Sequence, residues 1–350
     1  MSWTRRQWLR MVGLLPVGLA PWRLEFRERA ATVPLLRPRG LRPGATVAIT
    51  APASPAFPQE VEEAVRRLTA LGCRVHLAAT VRMGNRRYLA ASDEVRAQEL
   101  MELIADPNVD AILCARGGYG VMRLLPFLDW ELFRRHPKPV IGFSDITALL
   151  VAITGRARVV SYHGPVAVST FDAFTVEYFR RTLFLPDGAV NPWSLHEPSW
   201  EVLNPGIACG PLIGGNLSLL VATLGTPYEV DTRGAVLFVE DIGEEPYRVD
   251  RMLTQLLLAG KLQQCVALLV GRFRAPWGNG RVPGSSIRWQ PSVAEILRER
   301  LSGLPIPILS GLPIGHLRSK LTLPLGVWVE VNASARTIRL LESSVAGEVT

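Results

Sequence analysis

The hexapeptide GFSDIT at residues 142–147 places a serine where an enzyme could use it as a nucleophile. The apolar run 139–141 is typical of a strand, and the run 148–151 is typical of a helix. A serine at such a junction often only caps the helix, because its hydroxyl accepts a hydrogen bond from an early helical N–H. It can also be a nucleophile that a tight turn presents to a neighbouring base. The junction alone leaves both interpretations of Ser144 open.

A serine nucleophile needs a base, and histidine is the side chain best suited to that role at neutral pH. His316 ends the apolar stretch SGLPIGH (310–316), which predicts an imidazole at a strand or loop end. That position suits a catalytic base, although a single histidine is more often structural. His163 lies in an apolar setting before Gly-Pro, and we expect it to be a hydrogen-bonded structural residue. His76 and His136 are expected to be structural or solvated, and His196 lies in the irregular connector.

A base of this kind is oriented by a carboxylate, and Glu240 is the best candidate for it. It follows four apolar residues in the predicted strand 235–241. Burying a carboxylate is costly unless the group is paired or hydrogen-bonded, so an acid at the end of a buried strand calls for a partner. The acids that follow it are interpreted as caps and surface ion pairs.

The stretch ARGGYG at 115–120 adds three glycines after another apolar strand. Glycines at a strand end let backbone N–H groups approach an anion closely, either a phosphate or the oxyanion of an acyl transfer. The dinucleotide fingerprint G-x-G-x-x-G is absent here. A tight turn without further function also explains the pattern.

Strand and helix patterns alternate through the first half of the chain. Two of the predicted strands are continuous apolar runs, as a parallel sheet covered on both faces requires. The predicted elements are strands at 46–52, 74–78, 109–115 and 138–144 and helices at 59–72 and 92–106. This alternation predicts an open, Rossmann-like α/β sheet that binds ligands at the carboxyl ends of its strands. Ser144 and the glycine turn both stand at such ends.

The pattern weakens after residue 165 and resumes near Gly210. The second half predicts a Gly-rich turn at 210–220, an amphipathic helix at 247–262 and several strands, hence a β-rich α/β domain. The predicted plan is a signal peptide at 1–31, a linker at 32–45, an N-terminal α/β domain at 46–168, a connector at 169–207 and a C-terminal domain at 208–345.

Five motifs, in this order, resemble the L,D-carboxypeptidase (muramoyltetrapeptide carboxypeptidase) family of serine peptidases. They are ARGGYG, GFSDIT, GPLIGGNLSLLVATLGTPYE, LFVEDIGEEPYRVDRML and GLPIGH, and the likeness runs from about Gly44 to about Glu342. The family removes the terminal D-alanine from peptidoglycan tetrapeptides. The resemblance implies an α/β N-terminal domain, a β-rich C-terminal domain, an active site between them and a homodimer.

By this resemblance Ser144 corresponds to the nucleophile, Glu240 to the acid of the triad and His316 to the base. The chain order is Ser, Glu, His, and the elbow lacks the second glycine of G-x-S-x-G. Ser144 is then expected to be both a helix cap and a nucleophile.

The resemblance also implies that backbone N–H groups of Gly118 and Asp145 bind the oxyanion. Arg116, beside the glycine turn, is a candidate for a contact with a substrate anion, and a structural ion pair is the alternative. No cofactor is expected. The cysteines stand alone in apolar company, without metal-ligand spacing, and are interpreted as packing residues: Cys73, Cys114, Cys209 and Cys265.

The formal net charge of +8 lies almost wholly at the N-terminus, because residues 1–43 hold nine arginines against two glutamates. The remainder carries +1, which argues against a nucleic-acid partner. The pair Arg5–Arg6 precedes the short apolar stretch 11–22, which is typical of a twin-arginine export signal. A basic tail is the alternative. We therefore expect an exported protein with no membrane span after cleavage, which meets tetrapeptide stems in the wall or fragments shed from it.

Two other functions stay open. Some relatives cleave the acyl–phosphoramidate bond of peptide–nucleotide antibiotics, and Trp277 on the predicted loop 275–286 could stack on a base. A non-catalytic, exported wall-binding module is the second alternative, and a complete set of Ser144, Glu240 and His316 argues against it.

Overall fold

The computed structural model describes residues 33–83, 88–185, 193–274 and 291–347. Residues from Leu35 onward form one compact unit that holds two β-sheets and the helices packed on them. In the described ranges, no helix is long and apolar enough to cross a membrane. The expected export signal with its pair Arg5–Arg6 and the predicted loop with Trp277 lie outside these ranges.

The first sheet is the predicted Rossmann-like one. Its parallel strands are β1 (Thr46–Thr50), β2 (Arg74–Leu77), β3 (Ala111–Cys114), β4 (Val140–Gly142) and β5 (Ser161–His163). The helices of this half are α1 (Pro58–Ala70), α2 (Ala79–Arg82), α3 (Asp93–Ala105), α4 (Trp130–Arg135) and α5 (Thr147–Ala152). Ser92 caps α3, as its sequence predicts, by accepting a hydrogen bond from the N–H of Val95.

The connector contains regular structure that its sequence pattern did not predict. It forms α6 (Ala173–Leu183), capped by Asp172, and the strands β6 (Ser194–His196) and β7 (Glu201–Asn204). The helix buries Tyr178 and Phe179, so these aromatic residues belong to the hydrophobic core instead of marking an irregular segment.

The predicted Gly-rich turn at 210–220 is wrong. Residues Ile207–Asn216 form β8, a ten-residue strand, and Leu217–Ala222 form α7. Gly214 and Gly215 stand inside β8 because two neighbours approach it closely. A Cβ on Gly214 would lie 2.0 Å from the carbonyl oxygen of Phe238, and one on Gly215 would lie 2.4 Å from Cγ2 of Thr147. Glycine in a strand marks such an approach as well as a turn.

The second sheet is mixed. The remaining elements of the chain are β9 (Val236–Glu240), α8 (Pro246–Leu258), α9 (Lys261–Gln264), β10 (Ala267–Gly271), α10 (Val293–Leu301), β11 (Ile308–Leu312), β12 (Leu323–Leu325), β13 (Trp328–Asn332) and β14 (Thr337–Leu340). Of these strands, β12 belongs to the first sheet. The strand order of the second sheet in the described chain is β6-β14-β13-β8-β9-β10-β11-β7, with β8 to β11 parallel and the outer strands antiparallel. The two-domain α/β fold that the sequence predicts is confirmed.

One stretch of chain joins both sheets. β12 pairs with β5 at the edge of the first sheet, where Leu323 lies opposite His163. Immediately afterwards, Gly326 donates a hydrogen bond to Leu212 of β8, and β13 continues along β8 in the second sheet. The loop that carries His316 precedes this stretch, so its position is fixed relative to both sheets.

Candidate active site

Ser144 stands on a strained elbow. β4 ends at Gly142, a short 3-10 turn covers Ser144–Ile146, and α5 follows at once. Ser144 has φ = +64°, a left-handed conformation that residues with a side chain seldom adopt. Its hydroxyl makes no capping hydrogen bond, so the predicted cap role is wrong. The strained turn presents the side chain at the carboxyl end of the sheet.

Glu240 and His316 form a buried pair. Glu240 ends β9 with its side chain fully buried, and its Oε2 lies 2.8 Å from Nδ1 of His316. Burial raises the pKa of Glu240, whereas the bond and the charge of His316 act to lower it. An ionised carboxylate can only accept, so Nδ1 donates and Nε2 remains as the basic nitrogen. Gly315 makes this approach possible, because a Cβ there would lie 2.0 Å from Oε2.

Phe143 links this pair to the elbow. Its ring centroid lies 4.7 Å from that of His316 in an edge-to-face arrangement, and Phe143 directly precedes Ser144. The contact joins the first half of the chain to the second. The base candidate therefore contacts the residue that directly precedes the nucleophile candidate.

A second contact between the halves lies under α5. Thr147 accepts a hydrogen bond from the backbone N–H of Asn216 at 3.0 Å, and Asn216 is paired with Glu240 across β8 and β9. The elbow of Ser144 is thus tied through two short links to the strand that carries the carboxylate.

The glycine turn packs directly on Ser144. A Cβ on Gly117 would lie 3.0 Å from the hydroxyl oxygen of Ser144 and 3.3 Å from the backbone nitrogen of Asp145. This close approach places the turn of Gly118 beside the elbow, where backbone N–H groups could face an oxyanion.

The side chain of Asp145 has a structural task of its own. Its carboxylate is buried and accepts a hydrogen bond from the N–H of Val121 at 2.8 Å. Burial raises the pKa of this carboxyl. The bond ties the end of the glycine turn to the elbow, so this side chain holds both oxyanion candidates in register.

Arg116 lies at the surface beside the same turn. Its Nη1 lies 3.6 Å from Oε2 of Glu60, and its guanidinium carbon lies 5.9 Å from the ring centroid of Phe57. The structure thus contains the ion pair that was the alternative, and the side chain remains more than a third exposed.

Two charged or titratable neighbours of the pair were not singled out as site residues. Lys320 is buried with its Nζ 5.2 Å from the centroid of Phe143, and burial lowers its pKa to about 8. His163 is also buried, and neither of its ring nitrogens has a hydrogen-bond partner in the described part of the chain. The expected hydrogen bond of His163 is therefore wrong. In the structure its ring lies between the rings of Phe143 and Phe238, which offer it no hydrogen-bond partner.

The helix α6 anchors the loop of His316. Ser319 donates a hydrogen bond to Asp172, the cap of α6, and Thr175 accepts one from the backbone N–H of Lys320 at 3.1 Å. The loop is therefore held by α6 through these bonds and by β12, which follows it in the chain.

Among the residues that the structure describes, no three His, Cys, Asp or Glu side chains cluster as metal ligands would. Three of the cysteines are buried, as expected of packing residues, whereas Cys209 on β8 is exposed, contrary to the sequence interpretation.

The chain matches known proteins over both halves. Residues 47–164 match the LD-carboxypeptidase N-terminal domain and residues 209–331 match the LD-carboxypeptidase C-terminal domain. The probable murein peptide carboxypeptidase of Bacillus subtilis is 37% identical over 89% of this chain and 95% of its own length. The crystal structure of muramoyltetrapeptide carboxypeptidase from Oxalobacter formigenes is 32% identical, with a TM-score of 0.73, and covers 85% of this chain and 98% of that one.

A relative of a different name is also similar. The microcin C7 self-immunity protein MccF of Escherichia coli is 28% identical over 75% of this chain and 82% of its own length. A structure of MccF in complex with glutamyl sulfamoyl guanosine has a TM-score of 0.79 at 25% identity and covers 89% of this chain and all of that chain.

Proposed function

Because the chain belongs to the LD-carboxypeptidase family and is a carboxypeptidase, we propose that it releases the C-terminal D-alanine of murein tetrapeptides by serine catalysis. The nucleophile is Ser144, the base is His316 and the orienting acid is Glu240. The observation that carries the proposal is the buried bond between Glu240 and Nδ1 of His316, since it frees Nε2 to act as the base.

The reaction follows the acyl-transfer chemistry of a serine triad. The hydroxyl oxygen of Ser144 attacks the carbonyl carbon of the bond to D-alanine while Nε2 of His316 takes its proton. The same proton then passes to the leaving nitrogen, and D-alanine departs with a free amino group. Water attacks the resulting ester, gives a proton to His316, and the shortened peptide leaves as Ser144 regains its hydrogen.

Two groups of the first half stabilise the charge that develops. The negatively charged carbonyl oxygen accepts hydrogen bonds from the backbone N–H groups of Gly118 and Asp145. The support for this assignment is the packing of Gly117 against the hydroxyl of Ser144 and the bond that fixes Asp145 to Val121. Such donors are typically worth several kcal/mol in the transition state because they need no reorganisation.

Ser144→Ala tests the covalent step. The variant should bind substrate but release no D-alanine, and it should not react with a fluorophosphonate probe that labels the wild type. Wild-type turnover by a folded Ser144→Ala protein would end the serine mechanism. A wall-binding module without catalysis would leave the wild type unlabelled as well.

The stereochemistry of the bond gives the substrate test. The enzyme should trim a tetrapeptide whose D-alanine follows an L-centre and leave a pentapeptide ending in D-Ala–D-Ala intact. Mass spectrometry of the two digests reads out the difference. Efficient trimming of the pentapeptide would contradict the L,D assignment.

The similarity to MccF favours a second candidate, hydrolysis of a peptide–nucleotide conjugate by the same triad. Trp277, the candidate for base stacking, lies outside the described residues. Rates on the tetrapeptide and on an aminoacyl sulfamoyl adenosine, compared at equal concentration, separate the two. Faster cleavage of the adenosine compound would favour the second candidate.

We also propose that the protein is exported through its arginine pair and acts in the cell envelope as a homodimer. The support is the sequence of the N-terminal segment and the family resemblance, and light scattering on the purified protein measures the oligomeric state.

A further inference from the structure

A small pocket opens next to the candidate oxyanion site. It has a volume of about 270 Å³, and its walls include Ser54, Phe57, Tyr88, Arg116 and Gly118. Gly118 is shared between the pocket and the turn that packs on Ser144. The pocket therefore adjoins the turn that packs on Ser144.

Arg116 is held in place at this pocket from two sides. Its guanidinium lies near the ring of Phe57 and near Oε2 of Glu60, and the same Oε2 accepts the N–H of Phe57 at 2.9 Å. The contact with Glu60 is long, at 3.6 Å, and a guanidinium has five N–H donors. Arg116 is therefore oriented by its neighbours while donors remain for a further anion.

The walls of the pocket are joined by hydrogen bonds. The hydroxyl of Ser54 donates to the carbonyl oxygen of Tyr88 at 2.8 Å and accepts from the N–H of Tyr119 at 3.2 Å. The rings of Tyr88 and Tyr119 meet edge to face, with centroids 5.6 Å apart, and both are more than half exposed. Three loops thus form one preorganised rim, which limits the entropy lost on binding.

The two products of the proposed reaction differ in the size and charge of the binding site that they require. The acyl product continues into the long stem peptide, whereas the departing product is a single small residue with a free carboxylate. A pocket at the lower edge of the size range of ligand sites, with one oriented guanidinium, matches the departing residue. Guanidinium groups bind carboxylates through two parallel hydrogen bonds.

We infer that this pocket binds the departing D-alanine, with its carboxylate on Arg116, an inference that rests on the proposed function. Arg116 is then the residue that makes the enzyme a carboxypeptidase, because it recognises the free chain end.

Two matched peptides test this assignment: the tetrapeptide ending in D-alanine and the same peptide ending in D-alaninamide. The wild type should prefer the free acid. Arg116→Met should raise KM for the acid by about 10- to 100-fold with a smaller change in kcat, since it loses a charge-assisted contact made to substrate and product alike. KM for the amide should change little, and Arg116→Lys should recover part of the preference. Arg66→Met, which removes an exposed arginine of α1 paired with Glu63, is the control and should behave as wild type.

The outcomes separate the two levels of inference. An active Arg116→Met enzyme that still prefers the acid as strongly as the wild type overturns the pocket assignment alone. A wild type that releases neither D-alanine from the acid nor D-alaninamide from the amide overturns the proposed function together with the pocket.

Discussion

His163 should make the folded protein sensitive to mild acid. The imidazole is buried under the candidate triad between Phe143 and Phe238, and protonating it there would place an unpaired charge among aromatic rings. Burial lowers its pKa to about 3, and the nearby charges of His316 and Lys320 act in the same direction. Replacing it by leucine, which has a similar volume and no proton to bind, removes this sensitivity.

The magnitude follows from the difference between the folded and unfolded states. An unfolded chain binds a proton at histidine below about pH 6.5, and the folded protein does not bind it until about pH 3. Between these values the free energy of unfolding falls by about 1.4 kcal/mol for each pH unit lost. At pH 5 the loss due to this one group is about 2 kcal/mol relative to pH 7.5.

Urea unfolding at pH 7.5 and pH 5, monitored by tryptophan fluorescence, measures this loss of stability. At pH 7.5, His163→Leu should lower the free energy of unfolding somewhat. Relative to the wild type at the same pH, the free energy of unfolding of the variant should be about 2 kcal/mol more favourable at pH 5 than at pH 7.5. Phe238→Leu changes the same packing without a titratable group, so its cost should be equal at the two pH values. An equal cost of His163→Leu at both pH values would refute the reasoning.

Three further outcomes are expected. Glu240→Gln should keep the shape of the site but lose the charge that supports the imidazolium of His316, lowering kcat by on the order of 10³–10⁴ while the protein stays folded by circular dichroism. Gly215→Ala should destabilise the protein by about 1–3 kcal/mol in urea, because a Cβ there meets α5. Gly234→Ala, which also has a positive φ but open space around it, should cost less, and equal costs would contradict the packing argument. Changing the arginine pair at 5–6 to lysines should leave active protein in the cytosol on cell fractionation, and undiminished export would exclude twin-arginine transport.

The sequence predicted those parts of the site that depend on local pattern. Glu240 stood out because a carboxylate at the end of an apolar strand needs a partner, and the structure provides His316 as that partner. The α/β order and the end of β4 before Ser144 followed from alternation and from the continuous apolar strands.

Contacts between residues distant in the chain could not be predicted from the local sequence pattern. Gly214 and Gly215 resembled a turn because the reason for glycine lies in Phe238 and Thr147, which are distant in the chain. The helix α6 was hidden since it is aromatic on the face that packs inside. Lys320 was missed because its neighbour is the ring of Phe143, a contact that no local spacing in the sequence predicts.

The stretch from β12 to β13 affects the order in which the fold can assemble while the chain is synthesised on the ribosome. The edge of the first sheet is completed only when Leu323–Leu325 emerge, although the other five strands are made in the first half of synthesis. Until then β5 exposes an unpaired edge, and the loop of His316 lacks the anchor that follows it in the chain. Assembly of the candidate triad therefore depends on β12, and a chain truncated before Leu323 should be inactive even though Ser144, Glu240 and His316 are all present.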